Sequence, residues 1–284
     1  MPAPAVTVSQ RVAEITQRFA TAGLDTARLD ARILIAHVLQ LEPSMLFARG
    51  DTEIPPETAM LLEALVVRRL AHEPVSRIVG KREFWGMDFV LNADTLDPRA
   101  DTETLVAAVL GLKAAYAAPR ILDLGTGTGC ILLAVLKDWP AATGMGIDSS
   151  SGAVAAATAN AAALGFSSRT LFQQGNWCEG LAERFDIIVS NPPYIAASEI
   201  PELMADVRDF DPMAALVAGD DGLAAYRALI PDARAHLKVG GRLFLEIGAG
   251  PGPAVTALLE SHGLKPVAAY RDLAGIVRCL EAIA

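Results

Sequence analysis

The sequence predicts an α/β fold, in which a parallel sheet carries helices on both faces, preceded by a small bundle of helices. Two patterns support this prediction. Beyond residue 120, short apolar runs alternate with segments of helical periodicity, whereas residues 8–70 show helical periodicity only. Residues 75–91 favour β-structure and contain two glycines, which predicts a hairpin between the two regions. The expected domains are a helical domain at 1–73, a hairpin linker at 74–100 and an α/β domain at 101–284.

The helical region is divided by Pro43 and Pro55-Pro56, which interrupt regular structure. Apolar residues recur three or four positions apart within each part, so each part is expected to bury one face. The predicted buried faces are Val12, Ile15 and Phe19; Leu29, Ile33, Ala36 and Leu39; and Leu61, Leu65 and Val66. Because no pattern typical of catalysis falls here, we expect this domain either to dock a substrate or to stabilise the domain that follows.

The composition argues against several kinds of protein. A net charge of −9 is unlike a surface that coats DNA or RNA, because such surfaces neutralise phosphates with lysine and arginine. The three cysteines, Cys130, Cys178 and Cys279, are scattered and the four histidines stand apart, so we expect a reducing compartment and no metal site. No apolar run approaches the roughly 20 residues of a membrane helix, and Met1 to Pro4 open no signal peptide. A cytoplasmic protein is therefore expected.

A glycine-rich loop follows the first predicted strand of the α/β domain, at 121–124. Gly125-Thr126-Gly127-Thr128-Gly129 leads from it into a helix expected at 130–136. Glycines let backbone approach a ligand closely, and a helix N-terminus offers free N–H groups. The second strand, 144–148, ends in Asp148, about 20 residues after the loop, the interval at which a carboxylate meets ribose hydroxyls. Loop and acid together predict a cofactor that contains a nucleoside, although the third glycine comes one residue earlier than in dinucleotide-binding loops.

The remaining elements are predicted from the same alternation. Trp177 follows a strand at 170–173 and is expected to lie against an adenine ring, with a place in the core as the alternative. Before the first strand, Asp101 is expected to cap a helix through Leu105, Val109 and Leu112, and Arg99 to anchor the linker rather than bind substrate. The polar segment 196–221 is expected to close over a site. Helices at 153–164, 223–237 and 254–259, a Gly240-Gly241 turn, and strands at 242–247, 266–270 and 276–280 complete the domain.

The clearest chemistry lies in Asn191-Pro192-Pro193-Tyr194, which ends a strand predicted from Phe185. Two prolines cannot continue a strand's hydrogen bonds, so Asn191 is expected at the carboxyl end, the edge where open α/β sheets bind ligands. The Asn191 side-chain oxygen and the Pro192 carbonyl oxygen are two acceptors for one –NH2 group, and Tyr194 can stack on a planar substrate. The motif predicts a site that positions a planar amine or amide; an ordinary turn is the alternative.

In this order and on these strands, the glycine loop, Asp148 and Asn-Pro-Pro-Tyr resemble those of class I S-adenosylmethionine-dependent methyltransferases, which implies a Rossmann-like methyltransferase sheet. The resemblance narrows to the release factor glutamine methyltransferases, the PrmC/HemK family, and covers nearly the whole chain. Asn-Pro-Pro-Tyr alone is shared with adenine-N6 DNA methyltransferases, so the whole set of segments carries the specificity. The segments are 96–103, 123–129, 190–195, 220–223, 246–248 and 272–276.

The resemblance implies methylation of the side-chain amide nitrogen (N5) of the glutamine in the Gly-Gly-Gln motif of class 1 peptide chain release factors. S-adenosyl-L-methionine is the implied methyl donor, and a monomer without direct nucleic-acid or membrane contacts is expected. The implied cofactor contacts are Gly125, Thr126, Gly127, Thr128, Gly129, Asp148, Trp177 and Asn191. The implied substrate contacts are Asn191, Pro192, Pro193 and Tyr194, of which Asn191, Pro192 and Tyr194 are the catalytic residues.

The sequence departs from the family pattern at the edges of the substrate site. Asp97 and Ala100 stand where an apolar residue and a proline are usual, Asp211 replaces a glutamate, and Ala249 replaces a glutamine. Three alternatives stay open. A ribosomal-protein glutamine methyltransferase would use the same chemistry, an adenine-N6 DNA methyltransferase should also carry a basic DNA-recognition segment, and a nucleotide-binding module would leave Asn-Pro-Pro-Tyr without a role.

Overall fold

A computed structural model describes residues 6–284 and separates them into two compact units that meet in sequence at Gly80 and Lys81. Met1 to Pro4, considered above, lie outside the described residues. None of the helices between residues 6 and 284 combines the length and apolarity that a membrane crossing requires.

The first unit is helical. Its longest helix but one, α1, begins at a capping box: the Thr7 side chain accepts from the Gln10 N–H, and the Gln10 side chain accepts from the Thr7 N–H at 3.0 Å. Pro43 opens a short 3₁₀ turn, and Pro55 and Pro56 open the third helix, as proline does where no N–H donor is required. The elements are α1 (Val8–Thr21), α2 (Ala27–Val38), the 3₁₀ turn Pro43–Leu46, α3 (Pro56–Leu70) and α4 (Val75–Val79).

The buried face of the first unit differs in part from the prediction. Ile15 and Phe19 of α1 are fully buried as expected, but Leu29 and Leu61 are 55% and 64% exposed. Ala36 and Val66 are buried as predicted, and the core also takes Ala31, Leu34 and Ile35 from α2 and Leu62 from α3. A buried ion pair explains the shift, because Arg69 Nε lies 2.7 Å from Asp30 Oδ2 between these two helices. The pattern of apolar residues alone places Asp30 and Arg69 on the exposed side of their helices. It therefore predicts a buried face that is turned away from the observed one.

The predicted hairpin is shorter than expected. Residues 75–79 form α4 instead of a strand, and α4 ends at Gly80, whose φ of +75° is a left-handed helix terminus. Ile78 of α4 is buried in the helical core, which outweighs the β-preference of its branched residues. The hairpin itself, in the second unit, consists of β1 (Lys81–Phe84) and β2 (Met87–Val90), with Trp85 and Gly86 both at positive φ in the turn.

The second unit is built on a seven-stranded sheet in the order β5-β4-β3-β6-β7-β9-β8, which confirms the predicted α/β class. Strands β3 to β7 are parallel, and successive strands run outward from β3 before β6 returns to its other side. The gap between the carboxyl ends of β3 and β6 is therefore the switch point where such sheets bind ligands. The strands are β3 (Arg120–Leu124), β4 (Thr143–Asp148), β5 (Thr170–Gln174), β6 (Phe185–Ser190), β7 (Leu237–Glu246), β8 (Lys265–Arg271) and β9 (Val277–Ile283).

Two details of the sheet differ from the prediction. Strand β9 is antiparallel to β7 and β8, because the short turn at 272–276 makes a hairpin and leaves no room for a crossover helix. Strand β7 begins at Leu237, and the Gly240-Gly241 pair lies within it, where the pairing with β6 skips from Leu237 to Arg242.

Helices cover both faces of the sheet. Successive side chains of β3 point to opposite faces, so Ile121 packs in one hydrophobic core and Leu122 in the other. The prediction that Asp101 caps the following helix is wrong: the N-cap of that helix is Thr102, and the Asp101 carboxylate pairs with Arg278 Nη2 at 2.8 Å. The helices are α5 (Glu103–Leu110), α6 (Cys130–Asp138), α7 (Ser151–Ala163), α8 (Ala205–Arg208), α9 (Ala224–His236) and α10 (Gly252–Ser261), with 3₁₀ turns at Ala100–Thr102, Ala197–Glu202 and Met213–Ala215.

Candidate active site

The glycine loop after β3 adopts a backbone that only glycine accepts readily. Gly125, Gly127 and Gly129 have φ of +72°, +55° and +80°. A Cβ on Gly125 or Gly127 would meet nothing within 4 Å, whereas a Cβ on Gly129 would lie 3.3 Å from Ala157 and Phe172. The first two glycines therefore shape an open concavity, and the third allows α6 to pack against α7 and β5.

Hydrogen bonds fasten this loop to the sheet. The N–H groups of Gly125 and Thr126 donate to the Ile147 carbonyl at 2.8 and 3.0 Å. The Thr126 hydroxyl donates to Asp123 Oδ2 at 2.7 Å. Asp123 is fully buried, and this burial raises the pKa of its carboxyl to about 7. These bonds attach the loop to β3 and β4. The side of the loop that carries Gly125 and Gly127 faces open space.

Asp148 closes the loop from the end of β4. Its Oδ2 accepts from the Gly127 N–H at 2.9 Å and its Oδ1 from the Ser150 N–H at 3.0 Å. A carboxylate has about four acceptor positions, so both oxygens retain capacity for a ligand's hydroxyl groups. Asp148, the acid predicted to bind ribose, is therefore fixed by a hydrogen bond from the glycine loop, which is predicted to bind the same cofactor.

These elements surround a first pocket of about 220 Å³. Trp177 lines it with φ of +49° and also packs against the core below α9, so part of its ring is in the core while part faces the pocket. Gly129 is not among its lining residues, unlike the other members of the loop. The predicted residues that line it are Gly125, Thr126, Gly127, Thr128, Asp148, Trp177, Asn191 and Pro193.

A second pocket of about 350 Å³ lies on the other side of Asn191, which lines both. Pro192 and Tyr194 line this second pocket, with Leu203 and Met204 from the segment that follows. The end of β6 is fixed to the end of β3 because the Ser190 hydroxyl donates to the Leu124 carbonyl at 2.7 Å. Asn191 therefore stands at the switch point of the sheet, between a glycine-lined pocket and an apolar one.

Two glycines leave the space that Tyr194 occupies. A Cβ on Gly248 would lie 2.9 Å from Tyr194 Cδ2, and a Cβ on Gly222 would lie 2.6 Å from the Tyr194 carbonyl oxygen. Burial raises the pKa of the Tyr194 phenol, so the ring stays neutral near pH 7. The segments 220–223 and 246–248, which carry part of the family resemblance, thus have a physical reason: Gly222 leaves space for the Tyr194 backbone and Gly248 for its ring.

The segment predicted to close over the site does lie beside both pockets. Ala215, at its 3₁₀ turn, lines the two of them. Arg99 Nη2 lies 3.2 Å from Asp211 Oδ2, and the Asp211 side chain is only 3% exposed. This pair joins the linker before α5 to the covering segment, which supports the anchoring role expected for Arg99, although Arg99 also lines both pockets.

Sequence reasoning missed two polar residues behind Asn191. The Asn191 Nδ2 donates to Thr102 Oγ1 at 3.4 Å, and a hydrogen bond from Thr102 partly offsets the burial that raises the pKa of Glu246 to about 7. Thr102 and Glu246 are both 2% exposed. A buried acid at a strand's carboxyl end is a signal that could have drawn attention to Glu246; nothing in the spacing pairs Thr102 with it. Within residues 6–284, no cluster of three or more potential metal ligands occurs.

Known proteins similar to this chain are methyltransferases. The family described as PrmC N-terminal domain matches residues 10–80, and the one described as Methyltransferase small domain matches residues 90–207. The release factor glutamine methyltransferase of Rhodospirillum rubrum is 50% identical over 265 residues, which cover 93% of this chain and 81% of that protein. The one from Cereibacter sphaeroides is 48% identical over 93% of this chain and 94% of its own length.

Among solved structures, the hMettl16 catalytic domain in complex with MAT2A 3′UTR hairpin 6 has a TM-score of 0.56 with 14% identity, over 80% of this chain and 81% of that one. This likeness shows a shared fold. The identity and coverage of the bacterial relatives show more: the chain belongs to the release factor glutamine methyltransferase family.

Proposed function

We propose that this protein methylates the side-chain amide nitrogen (N5) of the glutamine in the Gly-Gly-Gln motif of class 1 peptide chain release factors. S-adenosyl-L-methionine is the proposed donor. One observation carries the proposal: Asn191 lines both a glycine-rich pocket and an adjoining apolar pocket, so an amide held by Asn191 would face a bound donor. The names of the relatives at 48% and 50% identity support the same substrate.

The first pocket fits the proposed cofactor. Gly125 and Gly127 border it with backbone in a conformation unfavourable to other residues, and a side chain on either would project into open space. Asp148 offers acceptors for ribose hydroxyls, and Trp177 offers a flat surface for adenine. When bound, S-adenosyl-L-methionine supplies an electrophilic methyl group on its sulfonium sulfur.

Positioning supplies most of the proposed catalysis. An amide nitrogen is a poor nucleophile because resonance with the carbonyl occupies its lone pair. The Asn191 side-chain oxygen and the Pro192 carbonyl oxygen would accept hydrogen bonds from its two N–H groups and hold the nitrogen towards a bound donor. They would also stabilise the positive charge that develops on nitrogen as the N–CH3 bond forms, the S–CH3 bond breaks and the donor leaves as a neutral thioether. Tyr194 packs on the planar amide from the second pocket.

The proposed mechanism has no side-chain base acting before transfer. The amide proton becomes strongly acidic only once the nitrogen has gained the methyl group, and it then leaves to water. The tyrosine nearest the reaction, Tyr194, has a raised pKa and would keep its own proton. We also propose that the protein works as a cytoplasmic monomer without bound nucleic acid, in keeping with three buried, unpaired cysteines and a net charge of −9.

The test is to locate the methyl group. Purified protein and labelled S-adenosyl-L-methionine are offered a class 1 release factor, total ribosomal protein and duplex DNA in parallel, and modified peptides are identified by mass spectrometry. We expect one methyl group, on the glutamine of Gly-Gly-Gln. A methylated ribosomal-protein glutamine or a methylated adenine, with the release factor unmodified, would replace the proposal with one of the two alternatives.

A further inference from the structure

The Asn191 side-chain carboxamide can work as proposed in only one of its two orientations, which differ by exchange of its oxygen and nitrogen. The two ends of a carboxamide have nearly the same shape, but only the oxygen can accept a hydrogen bond from a substrate –NH2 group. The Asn191 Nδ2 donates to Thr102 Oγ1 at 3.4 Å. This contact turns the nitrogen towards Thr102 and leaves the oxygen as the acceptor available to the substrate.

Thr102 cannot select this orientation by itself. A hydroxyl both donates and accepts, so it could equally donate to the Asn191 oxygen and leave the nitrogen facing the substrate. Two –NH2 groups would then oppose each other. The selection therefore requires that the Thr102 hydroxyl proton be committed to another acceptor.

Glu246 is the acceptor to which we assign that proton. Burial raises the pKa of its carboxyl, hydrogen bonding by Thr102 lowers it, and both residues are 2% exposed. An ionised carboxylate accepts hydrogen bonds and cannot donate one. Glu246 Oε2 accepts no hydrogen bond from another donor among the described residues, so this carboxylate has acceptor capacity left for the Thr102 hydroxyl.

The ionisation of Glu246 is set by the groups around it. Arg278 and Arg99 favour the ionised form, and Asp101 and burial oppose it, with burial the largest effect. The other titratable groups that interact with Glu246 are neutral near pH 7, because burial raises their pKa values. They are Tyr194, Tyr226, Cys130 and Cys279.

Resting on the function proposed above, we propose that Thr102 and Glu246 are positioning residues that hold the Asn191 carboxamide with its oxygen towards the substrate amide. They act through Asn191. When Glu246 is protonated, its O–H can donate to Thr102, Thr102 can donate to the Asn191 oxygen, and the orientation is no longer selected. Methyl transfer should therefore slow as the pH falls through the pKa of Glu246, about 7.

The test measures single-turnover methyl transfer to a release factor at saturating S-adenosyl-L-methionine, together with cofactor affinity by calorimetry. Thr102→Val keeps the shape and removes the hydroxyl. We expect its rate to fall about tenfold or more, as for a misdirected catalytic group, with cofactor affinity within about threefold of the wild type. Thr102→Ser should recover most of the lost rate. Thr256→Val, which removes a hydroxyl from α10 outside the site, should match the wild type.

Glu246→Gln supplies a readout that a packing role would not change. The wild-type rate should fall on the acid side of neutrality, and the variant should be slower at pH 8 without that fall, because glutamine does not titrate. A wild-type rate in Thr102→Val, or an unchanged acid-side profile in Glu246→Gln, would overturn this inference and leave the proposed function intact. Loss of cofactor binding in Thr102→Val would also overturn it, by assigning Thr102 to the first pocket alone. Absence of release-factor methylation by the wild type would instead overturn the proposed function, and the positioning role with it.

Discussion

The buried carboxylate of Glu246 should make the protein less stable as the pH rises. Glu246 is 2% exposed, and burial raises the pKa of its carboxyl from 4.5 to about 7. Between these two values the folded protein holds the proton and the unfolded chain releases it. The free energy of unfolding is therefore unaffected by this group below about pH 4.5, falls as the pH rises towards 7, and is constant above that.

Glu246→Gln should remove this fall. At about 1.36 kcal/mol per pH unit, the change of pKa from 4.5 to about 7 corresponds to about 3 kcal/mol. The difference in unfolding free energy, variant minus wild type, should therefore rise by about that amount between pH 4.5 and pH 8. Any constant cost of placing an amide in this pocket shifts the whole curve and leaves its slope unchanged.

Urea unfolding followed by tryptophan fluorescence at several pH values measures this difference. Glu281→Gln is the matched control, since Glu281 is also buried but accepts from Arg242 at 2.8 Å and from the Tyr270 hydroxyl at 2.6 Å. Its substitution breaks a satisfied pair and should destabilise the protein at pH 8. A variant-minus-wild-type difference for Glu246→Gln that stays flat or declines with pH would refute the reasoning.

Three substitutions separate the parts of the site. Asn191→Ala should reduce methyl transfer by about 10²–10³-fold with cofactor affinity nearly unchanged, measured by single turnover and calorimetry; near-wild-type turnover would contradict its role. Gly127→Ala should weaken cofactor binding about tenfold, whereas Gly165→Ala, at a similar positive φ of +80° outside the site, should lower stability only. Gly248→Ala should push the Tyr194 ring out of place and raise the KM for the release factor, whereas Gly252→Ala, whose Cβ would meet Ile247 at an ordinary 3.5 Å, should not.

The sequence predicted the order of the site because parallel strands bring their carboxyl ends to one edge. Gly125, Asp148 and Asn191 lie at the carboxyl ends of three different strands, and strand order alone brings them together at the switch point. Local signals sufficed for each of them: a glycine run, an acid after an apolar strand, and two prolines. The same reasoning placed Gly129 with its neighbours, and the structure separates it, because its role in packing depends on Ala157 and Phe172.

What the sequence did not predict depends on pairs of residues far apart in the chain. Asp30 and Arg69 orient two helices through a buried ion pair, so the apolar pattern assigned Leu29 and Leu61 to the wrong face. Asp101 looked like a helix cap because it precedes an apolar helix, yet its partner, Arg278, is 177 positions away. Long-range polar contacts of this kind leave no periodicity in the sequence.

The stability of Glu246→Gln and its activity should change in opposite directions. A carboxylate held near its pKa in a buried site lowers stability at pH 8, so packing alone would favour a neutral residue at this position. A neutral glutamine can accept from Thr102 but can also donate to it, and so does not fix the direction of the hydrogen bonds that reach Asn191. If Glu246 served the fold alone, Glu246→Gln would gain stability relative to the wild type between pH 4.5 and pH 8 with methyl transfer unchanged. A variant that gains stability in this way and also transfers methyl groups more slowly is the result that only a positioning role predicts.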